Sequence, residues 1–141
     1  LALTQEKWWS MVVDQKTIMT TYKGGFAPIN DKPVEFVQLD FMNVDPTRQY
    51  DYEQMELKNF MPEHKKNKLV KGWALHRIVN PHPESGDDYI TGNFFESMAD
   101  MYKNTNSVAK LTNQQKANYK EILDLRTMSK VQILRLMVSV R

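Results

Sequence analysis

Two rhythms of apolar and polar residues run along this chain. From Val34 to Val44, Val37, Leu39 and Phe41 fall on one side of an extended backbone and Phe36, Gln38, Asp40 and Met42 on the other, which predicts a strand with one apolar and one mixed face. The same period of two predicts strands over Gly72–Val79, Tyr89–Phe95 and Val131–Val140. Elsewhere the apolar steps are three, four and seven. Trp8, Met11, Val12, Ile18, Met19 and Tyr22 gather on one face of a helix capped by Thr4, and Lys23-Gly24-Gly25 supplies its basic last turn and a C-terminal stop. Asp45 followed by Pro46 starts a second helix that carries Tyr50, Tyr52, Met55, Leu57 and Phe60 toward a break at Pro62. Ser97 with Asp100, and Thr112 with Gln115, repeat capping-box spacing before a short helix and a last one bearing Tyr119, Ile122, Leu123 and Leu125. The Pro-rich stretches Phe26–Pro33 and Asn80–Asp88 read as a connector and a long hairpin loop.

Residues 1–33 therefore form a helical extension with its linker, and residues 34–141 form a domain ordered strand, helix, strand, strand, helix, strand. That order is the ferredoxin-like βαββαβ arrangement, an α+β fold in which right-handed crossovers set both helices on one face of a four-stranded antiparallel sheet. Alternation assigns Gln38, Asp40, Thr91, Asn93 and Arg135, with Phe36, Met42, Phe95 and Met137, to the face left bare. A part-apolar surface of that size needs cover, and an identical subunit supplies it most simply.

Composition narrows the function classes. The 141 residues are 41% apolar and 26% charged, which suits one core without metal or disulfide support. No cysteine is present, which removes thiol catalysis and thiolate zinc. Nineteen basic against 17 acidic residues leave +2, too little for the sequence-independent field of a nucleic-acid binder. Tyr89–Phe95 has aromatics but no Arg or Lys, unlike the third strand of an RNA-recognition motif, so RNA binding ranks last. No apolar run approaches the roughly 18 residues of a membrane span. The expectation is a soluble protein, cytoplasmic or exported, and the start at Leu1 instead of methionine is read as the mark of a removed leader or longer upstream segment.

Pro62-Glu63-His64 before Gly72-Trp73, with Lys68 between them, then Pro83, Asp88, Tyr89 and a strand ending Phe94-Phe95-Glu96-Ser97, resembles the dimeric α+β barrel superfamily. The likeness covers residues 34–140 and is nearest the antibiotic-biosynthesis-monooxygenase-like and EthD-like branches, in particular small bacterial members without an assigned activity. It implies a homodimer through the open sheet faces. It also implies either a cofactor-independent monooxygenase or a binder of a small planar apolar molecule. A haem-degrading branch uses Asn, Trp and His, but Trp73 and His76 lie three apart on one strand and so on opposite faces. No cofactor is expected.

Each candidate residue carries two readings. His64 is either a base at a cavity mouth or an exposed histidine in the run of Lys65, Lys66 and Lys68. Trp73 either stacks on a planar ligand or packs in the core. His76 is either functional or an interior histidine with one partner. Asp40, Asn93 and Arg135, on neighbouring strands, form either a polar floor for a ligand or, for Asp40 and Arg135, an ion pair fixing the dimer. His82, Glu84, Asp87 and Asp88 lack metal-ligand spacing. Nine methionines suit an adaptable pocket and a gap-filled core equally. The competing function is a non-catalytic dimeric interaction module, in which the helix bearing Trp8 and Trp9 docks on a partner.

Overall fold

The computed structural model describes residues 17–27, 34–79, 86–105 and 111–137. Five antiparallel strands form one sheet: β1 (Thr20–Phe26), β2 (Phe36–Val44), β3 (Gly72–Ile78), β4 (Tyr89–Phe95) and β5 (Arg126–Arg135), in the spatial order β1-β3-β4-β2-β5. Between β2 and β3 runs one continuous helical stretch, made of a 3-10 turn (Pro46–Arg48), α1 (Gln49–Met55), a π-helical turn (Glu56–Phe60) and α2 (Met61–Lys66). The helices α3 (Met98–Thr105) and α4 (Asn113–Leu125) follow β4. The result is a mixed α+β architecture. No helix is long and apolar enough to cross a membrane among the described residues.

The local signals act as the sequence implies. Asp45 accepts hydrogen bonds from the Thr47 amide (2.8 Å) and hydroxyl (2.6 Å), with Pro46 at the start of the turn. Thr112 and Gln115 form a full capping box, and Ser97 Oγ accepts from the Asp100 amide (3.1 Å) while donating to its carboxylate (2.8 Å). Pro62 does not break its helix. The π turn before it widens the ladder, Met61 N–H bonds the Glu56 carbonyl, and Pro62 falls in the first turn of α2, where a missing N–H costs little.

Three expectations are corrected. Residues 20–26 are strand, not the end of a helix, while residues 1–16, with Trp8 and Trp9, lie outside the described residues. The diglycine serves close approach instead of a helix stop: a Cβ on Gly25 would overlap the Trp73 carbonyl oxygen, and one on Gly24 would overlap Leu57. Lys23 beside them pairs with Glu53 (3.0 Å), which also accepts from Tyr89 Oη (2.8 Å) and so ties β1, α1 and β4 together. Next, β5 begins at Arg126, directly after α4, five residues before its apolar alternation starts. Its first five residues, Arg126 to Lys130, lack the apolar alternation and pair with Phe41–Val44 of β2.

The third correction concerns the sheet faces, which are the reverse of the sequence reading. Phe36, Met42, Val44, Trp73, Leu75, Tyr89 and Phe95 pack with Tyr52, Met55, Ile122 and Leu125 in one core, so the mixed stripe lies under the helices. Asp40, Thr91 and Asn93 are buried there with it. The face away from the described helices instead carries Val37, Leu39, Ala74, His76, Ile90 and Phe94, all half-buried, with Phe41 and Ile78 buried on the same side; among the described residues no helix covers it, and it is called the bare face below. The aromatic bulk of Phe36, Trp73, Tyr89 and Phe95 decides the matter, since the helices cover more apolar area on that side.

Candidate functional site

The polar members of the covered face are not packed shut. A cavity of about 210 Å³ separates them from the helices, with Gln38, Asp40, Thr91 and Asn93 as its floor and Glu56, Phe60, His64, Tyr119 and Arg126 in its walls. A second, outer cavity of about 410 Å³ shares Phe60, His64, Asn104 and Tyr119 with it.

On the floor, Asp40 accepts from Gln38 Nε2 (2.8 Å) and Asn93 Nδ2 (3.2 Å). Burial pushes the Asp40 carboxyl up from its ordinary value, opposed by the Gln38 hydrogen bond and the Arg126 charge. Because Asp40 takes the amide N–H of Asn93, the Asn93 carbonyl oxygen is left buried with no partner among the described residues.

In the wall, the π turn delivers Glu56 into the interior, with Arg126 Nε 4.0 Å from Oε1. Burial raises Glu56 to about 7, with Arg126 pulling the other way. Near neutral pH this group is therefore divided between its protonated and ionised forms. Among the described residues Arg126 Nε has no hydrogen bond of good geometry, and neither does the Tyr52 hydroxyl beside Glu56. Each such buried unpaired group costs about 1–3 kcal/mol when nothing fills the site.

At the rim, the His64 ring stacks on Trp73, centroids 5.5 Å apart and planes 16° apart. Burial lowers His64 to about 4, so at neutral pH it is an uncharged imidazole able to accept a proton or a hydrogen bond. Phe60 and Tyr119 meet edge to face at 5.4 Å where the two cavities join.

The fold thus brings together His64, Trp73, Asn93 and Asp40, and leaves two candidates elsewhere. His76 projects from the bare face, where Nδ1 lies 3.1 Å from Thr20 Oγ1 and the Tyr22 ring meets it at 5.5 Å. Arg135 does not face Asp40: the register sets it opposite Phe36, with its guanidinium 5.7 Å from that ring, while Asp40 lies opposite Val131. Arg126 is the cation that acts on Asp40. Asp87 accepts a short hydrogen bond from Ser129, Asp88 accepts from the Val44 amide (2.9 Å), and His82 and Glu84 lie outside the described residues. Among the described residues no group of three or more His, Asp or Glu converges.

Glu56, Arg126 and Tyr119 are absent from the sequence-derived site. Glu56 had a signal, since it stands four residues from both Tyr52 and Phe60 on the buried helix stripe. Arg126 had none, because its burial depends on β5 starting where α4 ends. No protein-family model matches the chain, and no curated protein matches it.

Proposed function

We propose that the chain holds a ferredoxin-like βαββαβ unit with an additional edge strand, and that two copies close their bare faces into a dimeric α+β barrel. Within each copy, the inner chamber binds a small planar molecule with an apolar ring and a hydroxyl group. The observation carrying this reading is the chamber itself, a space rimmed by an uncharged imidazole on an indole, whose lining holds an Asn93 carbonyl oxygen and an Arg126 N–H that have no hydrogen-bond partner among the described residues. Those two atoms ask for a ligand that both donates and accepts. The half-buried apolar residues Val37, Leu39, Ile90 and Phe94 support the pairing of faces.

The reaction we assign is monooxygenation in which the substrate supplies the electrons. His64 takes the hydroxyl proton of a quinol, and the electron-rich anion reduces O2. One oxygen atom enters the ring, the other leaves as water, and the quinol ends as a hydroxyquinone. In this reading His64 is the base, Trp73 and Asn93 shape the chamber, Asp40 holds Asn93, and Glu56 with Arg126 provides a nearby site for the displaced proton. Oxygen uptake on hydroquinone, compared with His64→Ala, is the test. A rate that survives the substitution removes the base, and absence of both uptake and binding removes the chamber reading.

A second reading, a non-catalytic dimeric module, is favoured by β5, an edge strand whose Val131, Ile133 and Leu134 stand about half exposed, at 47%, 51% and 50%. In that case the protein dimerises and neither binds nor consumes quinols.

A further inference from the structure

We infer that the outer cavity is a second subsite, which takes a neutral, hydroxyl-rich substituent such as a sugar attached to the planar group in the inner chamber. This rests on the chamber reading above. The two cavities share Phe60, His64, Asn104 and Tyr119, so a single molecule can occupy both. Their chemistry differs. The outer walls present four carboxamides, from Asn67, Asn104, Gln115 and Asn118, with one Lys66–Glu63 pair, whereas the inner chamber sets its carboxamides Gln38 and Asn93 beside the buried carboxyls of Asp40 and Glu56.

Charge argues against an ionic substituent. Lys66 Nζ lies 3.5 Å from Glu63 Oε1, and Glu63 Oε2 accepts from Gln115 Nε2 at 2.7 Å, so the two charges of this wall cancel. What remains is a neutral surface of amides whose first bonds are made within the protein, Asn67 accepting from the Leu69 amide (3.0 Å) and Gln115 from the Thr112 amide (2.9 Å), and whose second N–H and second lone pair suit hydroxyl groups. Asn67 and Asn104 are held in place by a 2.7 Å hydrogen bond. Asn118 accepts from Gln114 Nε2 (3.0 Å) through its oxygen, a bond that does not use its N–H groups. The Tyr119 and Phe60 rings at the junction offer apolar faces to the C–H side of a sugar ring.

Calorimetric titration of the intact protein with 1-naphthol and with 1-naphthyl β-D-glucopyranoside tests this. The glucoside is expected to bind about tenfold more tightly than naphthol, the gain of one or two net hydrogen bonds. Asn118→Ala, at a half-buried position that lines the outer cavity alone, should erase that difference and leave the naphthol affinity unchanged. Naphthol binding that equals or exceeds glucoside binding overturns the subsite while the chamber reading stands. Binding of neither probe overturns both.

Discussion

The imidazole of His64 lies flat on the indole of Trp73, 5.5 Å between centroids and 16° between planes, and this contact joins the end of α2 to the covered face of β3. Trp73 is 1% exposed, so the stack closes one side of the chamber and strips water from the histidine.

That desolvation has an opposite counterpart in Glu56, and together they set the pH dependence of stability. His64 falls from 6.5 to about 4 on folding, so its contribution is present above pH 6.5 and is lost as pH falls toward 4. Glu56 rises from 4.5 to about 7, so its contribution is present below pH 4.5 and is lost as pH rises toward 7. The two trends oppose each other across the shared window. Urea titrations of Glu56→Gln should therefore show stability rising with pH between about 4 and 6.5, and those of His64→Gln should show it falling between about 4.5 and 7.

Arg126 compensates a carboxylate that burial disfavours. Arg126→Leu leaves Glu56 without its cation and should destabilise the fold by about 3–5 kcal/mol, whereas Arg126→Leu with Glu56→Gln should recover much of that loss. A double-mutant cycle in urea measures the coupling, and strictly additive effects would show that the 4.0 Å pair is inert.

Trp73 fills the core as well as facing the chamber. Trp73→Ala should cost about 3–5 kcal/mol by chemical denaturation. Arg135→Ala, on an exposed strand end, should stay within about 0.5 kcal/mol of the parent.

The bare face gives a test of assembly. Phe94→Asp places a charge among Val37, Leu39 and Ile90 on the side away from the chamber, and should convert a dimer into monomers in sedimentation experiments. A parent protein that is already monomeric at micromolar concentration removes the barrel.

Much of this fold is written in short-range signals. The capping pairs Ser97 with Asp100 and Thr112 with Gln115, and the Asp45-Pro46 start, name their helices because each places an oxygen beside free amide groups. The alternation over residues 36–44 and 89–95 names two strands almost to the residue. What alternation cannot tell is which of two faces the helices choose, a decision made by the summed bulk of four strands. The inverted faces moved Asp40 and Asn93 from a presumed interface to a chamber floor, and left His76 outside. Lys23-Gly24-Gly25 misled because a diglycine serves a helix end and a tight strand crossing equally well. Arg126 was hidden because its partner Glu56 is distant in sequence and its burial depends on β5 starting where α4 ends.

The most direct measurement is an NMR titration of the protein with hydroquinone under argon, following the imidazole signals of His64 and His76 and the indole N–H of Trp73. Saturable shifts at His64 and Trp73, with His76 unmoved, are expected if the chamber binds the quinol. Shifts confined to His76, or none that saturate, would contradict that binding.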